Sequence, residues 1–310
     1  MKSLSVDNKD LILRLPEIAK IYMGTEAVSI KYIGGGSYGK VFKCTLSDNR
    51  VLILKAYRVQ GMQEKEAGYL RILAKNTSIK MPEVYFTHAD DSLAAMGMSF
   101  IEGSNVLSPA FLLKSKKERR LFAEKVVAGM LEWHNVSGEK YGDLLNPTHD
   151  SWLEYYREKM VEPRLEGLKK LCKEGKYPKK SLDLLLKATE LFFKITEEPK
   201  TPVITHTDLN IMNIMADKKT FELKGFIDPC GSMWADKEYD LFQFLNMWGR
   251  YFKLYDEYKK AAQISEHCDF KVAYYAALNE ASCRLNGALV IPVWEIQCNN
   301  RLKKAMRKYK

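Results

Sequence analysis

Residues 206–213 read His206-Thr207-Asp208-Leu209-Asn210-Ile211-Met212-Asn213 and follow the apolar stretch Pro202-Val203-Ile204. The pattern is HxDLxxxN. With four fixed positions, each matched about one time in twenty, it rarely arises by chance in a chain this long. A plain polar loop would use Asp208 as a turn former and Asn213 as a cap. In this spacing Asp208 can instead accept the proton of an attacking hydroxyl, and Asn213 can offer its amide oxygen to a metal ion. Downstream, Phe226-Ile227-Asp228-Pro229 ends a strand running back from Asn213. An acid before proline at a strand end is by itself common turn chemistry. Coming in order after Asp208 and Asn213, Asp228 is placed to share a magnesium ion, which takes one or two protein carboxylates beside phosphate oxygens and water.

Two elements upstream fit the same chemistry. Gly34-Gly35-Gly36-Ser37-Tyr38-Gly39-Lys40-Val41 fits GxGxxGxV. Glycines let backbone N–H groups approach phosphate oxygens without a Cβ in the way. This loop joins two expected strands, so a dinucleotide-binding strand–loop–helix unit is disfavoured, and no GxxxxGK[ST] is present. Lys55 ends the run Leu52-Ile53-Leu54-Lys55, 16 residues after Gly39. A lysine inside a strand needs a carboxylate to stay oriented and charged. The helix expected over 62–74 offers Glu64 and Glu66. About 200° apart on a helix, only one of them can face the sheet. Glu66, beside the apolar face of Leu70 and Leu73, is the expected partner.

The chain has 310 residues, 46% hydrophobic and 28% charged, with a net charge of +10. That length predicts one large domain or two lobes with a sizeable core, and excludes a mostly disordered chain. No apolar run approaches a membrane span, and the N-terminus lacks a secretory h-region. The six cysteines form no CxxC pair and no Cys/His pair has zinc-ligand spacing, so reduced thiols in a cytoplasmic protein are expected. The basic clusters at 114–120, 169–180 and 301–310 read as solvated helix faces, without the interleaved aromatics of a nucleic-acid platform. No nucleic-acid or membrane partner is expected, and one sequence does not give the oligomeric state.

Residues 9–23, interrupted by Pro16, predict a short broken helix. Strands are expected over 28–58, where Ser47-Asp48-Asn49-Arg50 supplies a turn. Two more are expected in Pro82–His88 and Ala95–Glu102. Gly103-Ser104-Asn105 marks the expected boundary between a nucleotide-binding lobe at 1–102 and a catalytic and substrate lobe at 103–310. Amphipathic helices are expected at 116–134, at 150–172, and at 181–195 with Ser181 as its cap. A small hairpin is expected within 203–228, turning at Asp217-Lys218-Lys219-Thr220, and helix again from 236. The fold class is α+β, a small antiparallel-sheet lobe before a larger, mainly helical one, with the ligand cleft between them.

In this order GxGxxGxV, a strand Lys, a helix Glu, HxDLxxxN and a later metal Asp resemble the signature of the protein-kinase-like fold. The variant resembles the aminoglycoside phosphotransferase and fructosamine kinase group. His206-Thr207-Asp208 lacks the Arg of protein kinases, Asp228 sits in Ile-Asp-Pro rather than Asp-Phe-Gly, and no Ala-Pro-Glu follows. In its place stands Trp234–Leu241, ending in Tyr239-Asp240-Leu241. Leu131–His134 closes a helix as the group's Leu-x-x-His does, and the segment from Tyr141 to Trp152 is loosely similar to fructosamine kinases. The resemblance covers roughly residues 28–250.

It implies a kinase using ATP, with GTP possible, and Mg²⁺, acting on a hydroxyl of a small molecule: an amino sugar, a fructosamine-like adduct or an aminoglycoside. The backbone at Gly34, Gly36, Ser37 and Gly39 would cover phosphates, and Lys55, held by Glu66, would pair with them. Backbone between Ser99 and Ile101 would meet the adenine. Asp208 would be the base, and Asn213 and Asp228 the metal ligands. His206 is expected to brace the loop, and Asp240 to be structural. Thr207 stands where the group commonly has Gly, and ordinary backbone dihedrals are expected there. A net charge of +10 fits polycationic acceptors poorly. The alternatives are a protein kinase-like enzyme, disfavoured by the missing activation segment, and a non-catalytic nucleotide-binding regulator, disfavoured by competent residues at every position.

Overall fold

The computed structural model describes residues 3, 4, 6–36, 38–246, 248–285 and 290–309; Ser37 lies outside them. Near the N-terminus, β1 (Ala27–Gly36), β2 (Gly39–Leu46), β3 (Val51–Tyr57), β4 (Val84–Ala89) and β5 (Ala94–Ser99) form an antiparallel sheet in the order β1-β2-β3-β5-β4. Helix α1 (Asn8–Met23) packs Leu11, Leu15 and Ile18 on Phe42, Leu52, Leu54 and Phe86. The period-two alternation of β3 turns Ile53 and Lys55 to the opposite side, where α2 (Met62–Lys75) crosses. Lys55 thus leaves the α1 core because Leu54 enters it.

The larger part is built on helices. Ser115 and Glu118 form a capping box at the start of α3 (Lys116–His134). Strand β6 (Ser104–Asn105) joins a three-stranded sheet in the order β11-β10-β6, with β10 at Ile214–Ala216 and β11 at Leu223–Phe226. A second sheet, ordered β8-β7-β12-β9, takes β7 (Tyr141–Asp143), β8 (Asn146–His149), β9 (Val203–Thr205) and β12 (Met233–Ala235). Helix α4 (Trp152–Tyr155) runs through a π-helical turn at Tyr156–Val161 into α5 (Glu162–Lys173), followed by α6 (Lys179–Ile195). The remaining helices are α7 (Phe242–Leu245), α8 (Leu254–Ala261), α9 (Cys268–Ser282) and α10 (Pro292–Met306). Nearly every residue of α9 is buried, including Lys271, which pairs with Asp236 at 2.7 Å and Glu238 at 2.8 Å. Among the described residues no helix is long and apolar enough to cross a membrane.

The fold is α+β, as expected, with four corrections of detail. Helix α1 runs unbroken through Pro16; the buried face of Leu11, Leu15, Ile18 and Ala19 outweighs the lost backbone bond. Helix α6 begins at Lys179 with Pro178, not Ser181, in the N-cap position. Pro178 holds the extended backbone (ψ 127°) that starts the helix, and the Ser181 hydroxyl lies inside it, accepting from Asn299 Nδ2 at 3.3 Å. The stretch 203–228 divides between sheets: β10 and β11 form the hairpin, and β9 pairs with β12. The 150–172 stretch is three helical pieces joined through the π turn.

Gly39 has a packing reason to be glycine. An added Cβ would sit 2.1 Å from the carbonyl oxygen of Ala56 on β3. Gly39→Ala is therefore expected to lower stability in urea unfolding by about 1–3 kcal/mol, the range for overpacking.

Candidate active site

Lys55 Nζ donates to both oxygens of Glu66, at 2.8 and 2.7 Å, and to Asp228 Oδ1 at 2.6 Å. Lys55 and Glu66 are buried, whereas the Asp228 side chain is 42% exposed and opens to the cleft. Burial opposes the Lys55 charge, but the carboxylates of Asp228 and Glu66 outweigh it and raise its pKa well above the ordinary lysine value. Glu64, two residues before Glu66, points away into solvent. β3, α2 and the turn after β11 thus bring three residues distant in sequence to one cation.

The loop 206–213 holds its carboxylate with amide donors. Asp208 Oδ1 accepts from Asn210 Nδ2 at 2.9 Å and from Gln243 Nε2 at 2.8 Å; Oδ2 accepts from Asn213 Nδ2 at 3.1 Å. Desolvation and the like charge of Asp228 push Asp208 up to about 8 against those hydrogen bonds. His206 is fully buried, and its Nδ1 accepts from the Asp208 amide at 3.3 Å. Burial lowers its pKa.

Asp240 fixes the loop from below. Its oxygens accept from the amides of His206 (2.9 Å) and Thr207 (2.5 Å) and meet His134 Nε2 at 3.2 Å. The expectation for Thr207 is overturned: its φ is +66°, in the left-handed region. A β-branched residue is strained there, and the Asp240 carboxylate on its amide and Gln243 on its carbonyl, at 3.3 Å, hold it in place. Thr207→Gly is expected to raise stability by about 1 kcal/mol, because relief of the strain exceeds glycine's added chain entropy. Thermal unfolding reads the difference.

Gly36 pairs with Gly39 across the hairpin, and Tyr38 lies in the turn just before Gly39. A Cβ on Gly34 or Gly36 would meet no atom within 4 Å, so both face open space. Ser99 spends its amide on the Glu83 carbonyl (2.8 Å) and its hydroxyl on the Glu83 amide (2.9 Å). The Ile101 side chain is buried near Gly225.

The model of the phosphotransferase enzyme family matches residues 29–275, most of the chain and every residue of the site described above. The chain belongs to that family. Among curated proteins, YcbJ of Escherichia coli K12, described as uncharacterized, is 20% identical over 200 residues, 63% of this chain and 66% of that protein. The matched region thus spans just under two thirds of that relative. A putative fructosamine-3-kinase from Thermobifida fusca YX-ER1 superposes with a TM-score of 0.69 at 17% identity, covering 95% of this chain and 99% of that one. Aminoglycoside phosphotransferase APH(4)-Ia, solved as a ternary complex with ADP and hygromycin B, gives 0.70 at 12% identity, covering 94% and 98%. These likenesses show the protein-kinase-like fold.

This family member supports its Lys55–Glu66 pair from the other lobe. Asp143, on β7, accepts from Tyr69 Oη at 2.6 Å and pairs with Lys65 Nζ at 2.5 Å. Leu145 packs so close that a Cβ on Gly68 would lie 2.8 Å from it. Three contacts thus clamp α2, which carries Glu66, to the β7–β8 hairpin. Asp143→Ala removes a charge-assisted hydrogen bond of about 1.5–3 kcal/mol. Faster amide hydrogen exchange in α2 is the expected outcome. Asp143 and Gln243 escaped the sequence reading: neither stands in a motif, and only the tertiary fold brings them to the site.

The donor set fits magnesium. Asn213 commits its Nδ2 to the Asp208 carbonyl (2.8 Å) and carboxylate, which orients the amide so that Oδ1 remains for a cation. Asp228 keeps one oxygen beyond Lys55. Among the described residues no three His, Cys, Asp or Glu side chains gather for a metal. A magnesium ion bound largely through substrate phosphates needs no such group.

Proposed function

We propose that this phosphotransferase family member moves the γ-phosphoryl group of ATP or GTP to a hydroxyl of a small molecule, an amino sugar, fructosamine-like adduct or aminoglycoside. The observation that carries the reading is the cluster of Asp208, Lys55, Asp228 and Asn213 in one cleft beneath the glycine hairpin. The group also includes structures with ADP and hygromycin B and with GDP and kanamycin, which supports a purine nucleotide. Residues 1–102 would form the nucleotide lobe and 103–310 the catalytic and acceptor lobe.

In the transfer, the acceptor oxygen bonds to the γ-phosphorus as the bond from that phosphorus to the β–γ bridging oxygen breaks. The hydroxyl proton passes to Asp208, whose carboxylate is aimed by Asn210, Asn213 and Gln243. Lys55, held by Glu66, pairs with phosphate oxygens. The hairpin backbone at Gly34, Gly36 and Gly39 covers the phosphates, and the backbone between Ser99 and Ile101 meets the base. Magnesium held at Asn213 and Asp228 would supply charge neutralisation on the phosphates. His206, neutral through burial, positions the Asp208 amide.

A protein-kinase reading has one observation in its favour. A dual specificity protein kinase, zakA of Dictyostelium discoideum, is 30% identical over 104 residues, 32% of this chain but 13% of that protein. The family match over 29–275 and the absence of an Ala-Pro-Glu segment weigh against it.

The test is nucleoside diphosphate release with Mg²⁺ across a panel of fructosamines, sugars, aminoglycosides, choline and homoserine, with a generic protein substrate alongside. Release that depends on one small acceptor is the expected outcome. Release that depends on the protein substrate alone would overturn the reading.

A further inference from the structure

A cavity of about 280 Å³ lies where α3 and α8 end. The buried His134 and Tyr258 stand at its base, the half-buried Leu131 and Lys237 on its wall, and the exposed Asn135 and Gln263 at its mouth. Among the described residues the side chains of Lys237, Asn135 and Gln263 have no hydrogen-bond or ion-pair partner, and none of the residues lining the cavity is an acid. One ammonium and two carboxamides therefore meet around it with their donors unspent. The backbone of Lys237 is fixed on both sides, because its neighbours Asp236 and Glu238 are buried and both hold Lys271 Nζ.

Direct contacts join the base of this cavity to the catalytic loop. His134 Nδ1 meets Tyr258 Oη at 2.7 Å, and its Nε2 meets Asp240 Oδ2 at 3.2 Å. Asp240 in turn accepts from the amides of His206 and Thr207, at 2.9 and 2.5 Å, directly before Asp208. Both ends of the His134–Asp240 contact adjoin the cavity. Asn135 follows His134, and Lys237 opens the 3₁₀ turn Lys237–Tyr239 that leads into Asp240. A ligand held by Asn135 and Lys237 together therefore braces that contact, and through it the loop.

We propose that this cavity binds a small organic anion, a carboxylate or a phosphate, gripped by Lys237, Asn135 and Gln263, and that its binding steadies the loop that carries Asp208. Pockets for drug-sized ligands run to roughly 300–1,000 Å³, so this one suits a small metabolite. Hydrogen bonds in which one partner is ionised are the strong ones, and the net charge of +10 favours the approach of an anion. Two sites joined in this way are coupled through a binding free energy. The coupling needs no turnover, so the proposal stands apart from the phosphotransferase reading.

The test titrates inorganic phosphate, glycerol 3-phosphate, citrate and glutamate into the protein at constant ionic strength while Tm is followed. A saturable rise with at least one of them is expected, lost in Lys237→Gln and kept in Lys237→Arg. Which probes act tells phosphate from carboxylate. Lys237→Gln breaks no ion pair, so without anion it should fold and melt as wild type does. Amide exchange followed by NMR reads the coupling. With the active anion bound, the His206 and Thr207 amides are expected to exchange at least about 5-fold more slowly, the lower end of the range for coupled sites. Lys237→Gln should show no such slowing. A rise that persists in Lys237→Gln places the anion elsewhere, such as the Lys55 cleft, and overturns the proposal. So does the absence of a rise with every probe, or binding that leaves both amides exchanging as before. A Lys237→Gln protein that melts lower yet answers the anions as wild type does assigns Lys237 to the two helix C-termini, whose dipoles favour a cation, and overturns it too. Neither readout uses turnover, so a failed phosphotransferase reading leaves the test intact.

Discussion

Asp208→Asn is expected to lower acceptor-dependent diphosphate release by roughly 10²–10⁴-fold, the range for loss of a positioned general base. Binding of the magnesium nucleotide should survive, because Lys55, Glu66 and Asp228 are untouched. The asparagine keeps the size of the side chain but cannot take the acceptor's proton. The fold should survive as well. Burial, with the like charge of Asp228 added to it, pushes Asp208 up to about 8, so a neutral amide there removes an ill-solvated carboxylate and some repulsion. Tm is therefore expected to hold or rise, a trade of stability against activity common at active sites. Single-turnover kinetics, nucleotide titration calorimetry and a thermal melt on the same preparation separate these effects. Full activity in the variant would remove Asp208 from the reaction.

Asp240→Ala should cost the most stability of the single changes considered. Asp240 is fully buried and serves three partners: the amides of His206 and Thr207 and the ring of His134. Without it two buried amides are orphaned and Thr207 loses a restraint on its positive φ. Removing one side of a buried charged network costs about 3–5 kcal/mol. Urea unfolding measures that loss. Activity should fall too, since the loop that aims Asp208 is no longer held. Asp240→Asn, which can still accept one of the amides, should fall between the two. An Asp240→Ala protein as stable as wild type would show that the loop is held by other contacts.

How far the sequence could be read depended on how local each contact is. The HxDLxxxN loop is legible because its parts are consecutive: Asp208 and Asn213 meet within six residues of chain. The choice of Glu66 over Glu64 followed from helical geometry and one apolar face, and the Lys55 contact bears out that geometry. Thr207 was misread for the opposite reason. Its side chain prefers ordinary dihedrals, and only Asp240, 33 residues later, overrides that preference. Pro16 misled in the same way, because the sheet beneath α1 holds the helix together across it. Strands β7, β8 and β12, three or four residues each, are too short to show alternation. Asp143 and Gln243 carry no motif, and their partners come from elements far along the chain.

The most direct measurement follows the phosphorus itself. Phosphorus NMR of the protein with Mg²⁺, ATP or GTP, and the acceptor panel shows where the γ-phosphoryl group goes. The account predicts a phosphomonoester signal on one acceptor that grows in step with the diphosphate and is absent with Asp208→Asn. Diphosphate accompanied only by inorganic phosphate, or a phosphoryl group found on protein rather than on a small molecule, would contradict it.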